Sequence, residues 1–217
     1  MKLRAFFGGT FDPVHNGHLA IALALADQFS LDEFTFVPAF HAPHKSRIRP
    51  TSAYDRFAML CLATEDDDRL KVSQIELDDP DEPYTVQTLP KLLAMYPDDR
   101  IFFVMGADSW MDILTWRDWE KVLSITDHIV MTRPGRPIET GHVTAEVRSR
   151  MIDLSGKPGT AVIDTADPTR HIYFTDRVNM DISATAIRHR ARNGDPSWRT
   201  DVPAGVAKFI EKYQIYS

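Results

Sequence analysis

The sequence predicts an α/β fold, a Rossmann-like doubly wound parallel sheet with a small helical C-terminal part. Three observations predict it. Short apolar runs of strand character recur along the 217 residues. Helical patterns fall between most of them. A glycine turn followed by two histidines stands where the first run ends and the first helix begins. Strands alternating with helices build a parallel sheet covered on both faces, and such sheets bind ligands at the carboxyl ends of their strands.

Residues 3–7 read as a buried strand and 18–29 as the helix after it. Further strands are expected at 34–38, 70–75, 100–105, 128–132 and 171–174, and helices at 53–64, 86–96, 116–123 and 145–154. Ser52 is placed to cap the second helix, with Asp55 three residues on as an approximate capping box, and Thr85 to cap the third. Pro90 inside that third pattern predicts a kink or a later start. Residues 133–141 and 156–159 read as loops. Two helices, 182–192 and 204–213, follow, separated by Asp195-Pro196-Ser197. The expectation is a single domain over 1–217 with a helical subregion from about 182 to 217.

Hydrophobic residues make up 43% of the chain and charged residues 26%, an ordinary composition for a water-exposed globule with a sizeable core. The net charge of −6 argues against a nucleic-acid polymer or an anionic membrane as partner. It leaves room for a single nucleotide, which needs only local positive potential. One cysteine excludes an internal disulfide framework and fits a reducing compartment. That cysteine, Cys61, lies in an apolar helical pattern and reads as core rather than nucleophile. No run approaches the roughly 20 apolar residues of a membrane span. The apolar stretch at the start is too short for a signal peptide and breaks at Gly8-Gly9. A cytoplasmic protein, monomer or small homo-oligomer, is expected.

Gly8-Gly9-Thr10-Phe11-Asp12-Pro13-Val14-His15-Asn16-Gly17-His18 is the most informative stretch. At a strand–helix junction, unpaired backbone N–H groups and the helix dipole favour an anion. Glycines let the backbone approach it. His15 and His18, three apart at a helix start, can face the same way and donate to phosphoryl oxygens. Two other readings compete: histidines that are merely structural, and a metal site in which His41 and His44 complete the set.

The segment resembles the signature of the HxGH nucleotidyltransferases, in the form found in bacterial nicotinate mononucleotide adenylyltransferases. A second family signature, Ile-Ser-x-Thr-x-Ile-Arg, is matched by Ile182-Ser183-Ala184-Thr185-Ala186-Ile187-Arg188 at the opening of a helix. Pro38 to Lys45 resembles the family's Pro-x-x-x-x-Pro-His-Lys loop. Pro83-Tyr84-Thr85-Val86-Gln87-Thr88-Leu89 resembles its Ser-Tyr-Thr-x-Asp-Thr-Leu, with Pro83 for serine and Gln87 for aspartate. Gly106-Ala107-Asp108, Trp116 and the Arg133-Pro134-Gly135 turn match further family elements.

The resemblance implies ATP and nicotinate mononucleotide as substrates, with deamido-NAD and pyrophosphate as products. It implies ATP binding by Gly8, Gly9, Thr10, Phe11, His15, His18, Gly106, Asp108, Ile182, Ser183, Thr185 and Arg188, with His18, His15 and Arg188 serving catalysis. Lys45, Tyr84, Thr85, Trp116 and Arg133 would bind the mononucleotide, Trp116 by stacking on the pyridine ring. Trp119 is expected in the core. Magnesium would arrive with ATP rather than in a protein-built site. Alternatives are nicotinamide mononucleotide as acceptor, another HxGH adenylyltransferase, or a nucleotide sensor without activity. Residues 136–176 carry no motif.

Overall fold

The structure is a computed structural model that describes residues 1–40, 50–81, 84–132, 139–178, 180 and 182–216. Seven strands form one sheet: β1 (Leu3–Gly9), β2 (Glu33–Pro38), β3 (Leu70–Val72), β4 (Arg100–Gly106), β5 (Asp127–Met131), β6 (Met151–Asp153) and β7 (Ile172–Thr175), in the order β3-β2-β1-β4-β5-β7-β6. The sequence winds outward from β1 to β3 on one side and through β4 and β5 on the other, where β6 takes the edge and β7 fills the place inside it, so β1 and β4 flank the switch point where doubly wound sheets collect ligands. Eight α-helices are described: α1 (Asn16–Gln28), α2 (Ala53–Ala63), α3 (Thr85–Met95), α4 (Ala107–Met111), α5 (Trp119–Ile125), α6 (Ala145–Ser149), α7 (Ala184–Arg192) and α8 (Ala204–Tyr213). The expected Rossmann-like class is therefore observed, with α7 and α8 as its helical C-terminal part. The chain forms two compact units, one of residues 1–8, 24–34 and 84–179, the other of 9–23, 35–83 and 180–217.

In the first unit β1, β4, β5, β7 and β6 pair in parallel, with Phe7 opposite Val104, Val104 opposite Ile129, and His128 opposite Ile172. Six consecutive residues of β4 are buried, as expected of a strand covered on both faces. Phe29, Phe102 and Tyr173 meet as a ring cluster at 5.5–6.1 Å. Below β4, Arg100 and Asp127 form a two-bond ion pair at 2.8 and 2.9 Å with side chains 3% and 0% exposed. Arg100 also donates to the carbonyls of Asp164, Asp167 and Thr169, and Asp127 accepts from the His171 amide. A long connection with little regular structure is thereby fixed by one buried guanidinium.

In the second unit α2 and α8 pack closely enough that Gly205 faces Leu62. Their buried residues are Ala53, Arg56, Met59 and Leu60 on one side and Val206, Ala207 and Ile210 on the other.

Several expectations are corrected. The helix expected over 145–154 stops at Ser149, and β6 takes over at Met151, because short apolar runs do not separate helix from strand by period alone. Trp116 is not helical: it is extended after the 3-10 turn Ile113–Thr115, and α5 begins only at Trp119 behind a left-handed Asp118. Trp119 is half-buried, whereas Trp110 is the fully buried core tryptophan. Cys61 is exposed; the core positions of its turn are Met59 and Leu60, and the same buried face carries Arg56, 1% exposed. Thr85 is the first residue of α3, capped by Tyr84 without a side-chain bond, and α3 runs through Pro90 without a late start. Ser52 stands at the N-cap of α2, but its side chain makes no capping bond. β3 ends at Val72 instead of 75.

Replacing Arg100 by Met leaves the Asp127 carboxylate buried without its cation. We expect a loss of about 3–5 kcal/mol in urea unfolding, the usual cost of breaking a buried pair from one side. A loss under about 1 kcal/mol would show that the pair does not hold this unit together.

Candidate active site

The loop between β1 and α1 is shaped by what lies beneath it. A Cβ on Gly9 would fall 2.7 Å from the Phe11 ring, so no side chain fits there. Phe11 takes a left-handed φ of 48° and buries its ring edge-on against Phe36 at 5.4 Å and His18 at 5.0 Å. The Asp12–Pro13 peptide is cis. Arg56 reaches up from α2 and donates to the carbonyls of Thr10 (2.7 Å), Ala39 (2.6 Å) and Thr51 (3.0 Å). Burial lowers its pKa, and the nearby Asp12 charge works against that shift. Asp12, 8% exposed, accepts from the Tyr216 hydroxyl at 2.7 Å and the Thr51 amide at 3.2 Å.

The two histidines follow from helix-start geometry. His15 precedes the first residue of α1, and its carbonyl accepts from the His18 amide at 2.9 Å. The His18 side chain returns the bond, Nδ1 accepting from the His15 N–H at 3.2 Å. This is the return half of a capping box, with imidazole in the role usually held by Glu or Gln, and it accounts for the three-residue spacing. The rings stack at 3.6 Å with 22° between planes. With Nδ1 engaged as acceptor, the neutral His18 ring carries its proton on Nε2, as a hydrogen-bond donor. Gly17 fits the same packing closely: a Cβ there would lie 3.1 Å from His15 Nδ1 and press on the ring. His15 is buried, and its Nδ1 has no protein partner. Burial drives its pKa down from 6.5 to about 4 against the opposing pull of Asp201. It is therefore neutral at pH 7.

The second signature lies against the first. Ser183 caps α7, its hydroxyl accepting from the Ala186 amide at 3.4 Å. Arg188 donates through Nη1 to the Asp12 carbonyl at 2.5 Å, across 176 positions of sequence, and through Nη2 to Thr185 Oγ1 at 3.3 Å. The Cβ of Ile182 lies 3.6 Å from where a Cβ on Gly17 would stand. The starts of α1 and α7, each with unpaired N–H groups, are thus neighbours.

In the other unit, Gly8 and Trp116 share one neighbour. A Cβ on Gly8 would meet the Phe103 ring at 3.3 Å, and Trp116 meets that ring edge-on at 6.3 Å. Tyr84 lies under the Arg117 guanidinium at 5.1 Å, which brings the Tyr84–Thr85 segment beside the Trp116–Arg117 segment. Gly106 caps α4, with nothing within 4 Å of a Cβ placed on it, and Asp108 is exposed in the first turn of α4. Lys45, Arg133, His41, His44 and Pro83 lie outside the described residues. Among the described residues, no group of three His, Cys, Asp or Glu side chains is placed to hold a metal ion. No helix among the described residues is long and apolar enough to cross a membrane.

Four residues that matter here, Asp12, Thr51, Arg56 and Tyr216, were not singled out as site residues from sequence. Arg56 had a readable signal, a charge at a position spaced three from Ala53 and Met59 on the buried face of its helix. Tyr216 had none.

Since His15 is buried neutral, its folded pKa lies below its unfolded value. Its contribution is complete above pH 6.5 and is lost as pH falls toward 4. We expect the stability gap between wild type and His15→Asn to shrink by about 2–3 kcal/mol over that interval in denaturant titrations. A gap constant with pH would contradict the burial argument.

The sequence model of the cytidylyltransferase-like family matches residues 6–190. A probable nicotinate-nucleotide adenylyltransferase of Corynebacterium glutamicum is 35% identical over 96% of this chain and 86% of its own length. One of Streptomyces coelicolor is 37% identical over 96% of this chain and 98% of its own length. In fold, the chain matches the nicotinic acid mononucleotide adenylyltransferase of Plasmodium falciparum, solved in complex with NaAD, with a TM-score of 0.70. That match is 17% identical and covers 100% of this chain and 98% of the other. The chain belongs to the cytidylyltransferase-like family, among the nicotinate-nucleotide adenylyltransferases.

Proposed function

We propose that this protein transfers the adenylyl group of ATP to nicotinate mononucleotide, releasing deamido-NAD and pyrophosphate in NAD biosynthesis. The observation that carries the reading is the meeting of the two signatures. Arg188 is bonded to the Asp12 carbonyl, and the starts of α1 and α7 are neighbours. Two helix N-termini, a fixed guanidinium and an imidazole donor in one place form a polyanion site. Full-length relatives named for this activity support the same reading.

The nucleophile is the phosphate of the mononucleotide, which is nearly dianionic at neutral pH and needs no general base. The protein's task is in-line alignment and neutralisation of charge as pyrophosphate leaves. Gly8 and Gly9 are assigned to the triphosphate on the family match alone, and Thr10 and Phe11 supply N–H groups. His18 donates from Nε2 to the phosphates, and neutral His15, stacked on it at 3.6 Å, is assigned to the same phosphates on the family match. Ile182, Ser183, Thr185 and Arg188 receive the departing pyrophosphate. Magnesium enters as part of the ATP complex, bound by phosphate and water oxygens. Asp108 accepts from the ribose hydroxyls of ATP beside the open space at Gly106. Tyr84 and Thr85, at the start of α3, and Trp116 receive the pyridine ring and its carboxylate. Lys45 and Arg133 are assigned to the mononucleotide on the family match alone. The enzyme would work in the cytoplasm, as a monomer or small homo-oligomer.

The test is pyrophosphate release from magnesium-ATP with nicotinate or nicotinamide mononucleotide. Strong preference for nicotinate is expected, and His18→Ala should lower turnover by about 10²–10³. Comparable use of both acceptors would overturn the specificity. Full turnover in a folded His18→Ala protein would overturn the role of that imidazole.

A further inference from the structure

We infer that Tyr216 is a positioning residue for the phosphate-binding loop, acting through Asp12 on Arg188 and the histidine pair. The inference rests on the reading of that loop given above. Tyr216 is 3% exposed, and its hydroxyl donates to Asp12 Oδ1 at 2.7 Å across 204 positions of sequence.

Local structure aims it there. α8 ends at Gln214, which takes a left-handed φ of 52°. Ile215 then returns its N–H to the Ile210 carbonyl at 3.1 Å. This is the six-to-one bond of a Schellman stop, and it turns the next side chain inward.

The bond has more to do than fill space. A buried carboxylate needs donors, because each unsatisfied oxygen costs free energy. Asp12 Oδ2 has the Thr51 amide, and Oδ1 has Tyr216. The Thr51 amide and the Tyr216 hydroxyl thus meet on one carboxylate, and the three residues form one network. Burial first, and the Asp12 charge second, push the phenol's pKa upward, so it remains a donor at working pH. Holding the Asp12 side chain from below orients its carbonyl above. That carbonyl is the acceptor for Arg188, whose other nitrogen bonds Thr185. Asp12 also stands three residues before His15. Release of its carboxylate therefore reaches both walls of the proposed polyanion site. Displacements of about 1 Å in such a site are enough to cost about a hundredfold in rate.

Tyr216→Phe removes the hydroxyl and keeps the ring, so the core stays filled. Two readouts are made on this variant: turnover with magnesium-ATP and nicotinate mononucleotide, and amide hydrogen exchange of the whole chain. We expect kcat to fall by about ten- to a hundredfold while KM for nicotinate mononucleotide stays within about twofold. Amides of residues 11–18 should exchange about tenfold faster, with β4 and β5 unchanged. In an Asp12→Asn background the same change should cost less than about twofold further, because the path through the carboxylate is already broken. Wild-type kcat with wild-type exchange in the loop would overturn the proposal. So would an equal loss in both backgrounds, or faster exchange spread through the whole chain. A wild-type protein inactive with these substrates would count against the adenylyl-transfer reading alone. The exchange comparison needs no substrate and still decides the role of Tyr216.

Discussion

The β1–α1 loop depends on charge buried beneath it. Arg56 gives its guanidinium to three stretches of backbone at once: Thr10 in the loop, Ala39 past β2 and Thr51 before α2. Asp12 gives its carboxylate to Thr51 and Tyr216 and its carbonyl to Arg188. Neither group could be buried alone, since an unpaired ion in an apolar interior costs several kcal/mol. Their partners, however, are fixed loop atoms, so satisfying the charges also fixes the loop. A stretch with a left-handed phenylalanine and a cis proline peptide is thereby held to one shape.

That shape determines the chemistry open to the histidines. The His18 side chain accepts from the His15 amide at the start of α1, and that bond to Nδ1 selects the His18 tautomer with its proton on Nε2. Burial keeps His15 neutral, so the stacked pair does not place two cations face to face. Positive potential comes instead from groups whose charge does not depend on pH in the working range: Arg188 and the two helix starts. A site built this way offers fixed donors to phosphate. This suits a reaction whose nucleophile is already ionised.

The parts of this arrangement differed in how far they could be read from sequence. Both signatures were legible, because glycine at a strand end, histidine at the next helix start and Ser183 at a cap are local devices with local reasons. The parallel sheet was legible from alternation. β6 was not, since Met151–Asp153 is too short for period to separate strand from helix. Trp116 was misplaced on a helix because its neighbours are good helix formers; the turn at 113–115 and the left-handed Asp118 override them. Cys61 was misplaced in the core because its neighbours make an apolar helical pattern, whereas Arg56 on the same helix is the buried residue. Arg56 wins that place by supplying donors to carbonyls that no apolar side chain could satisfy. Tyr216 could not be read at all, since its value lies in one contact across 204 positions.

The central claim is that the two distant signatures form a single polyanion site. A crystal structure with magnesium and a non-hydrolysable ATP analogue tests it most directly. The triphosphate is expected between His18 Nε2 and the amides of Ser183–Thr185, with Arg188 still bonded to the Asp12 carbonyl. A triphosphate bound away from either helix start, or Arg188 released from Asp12 to reach it, would show that the two signatures do not act as one site.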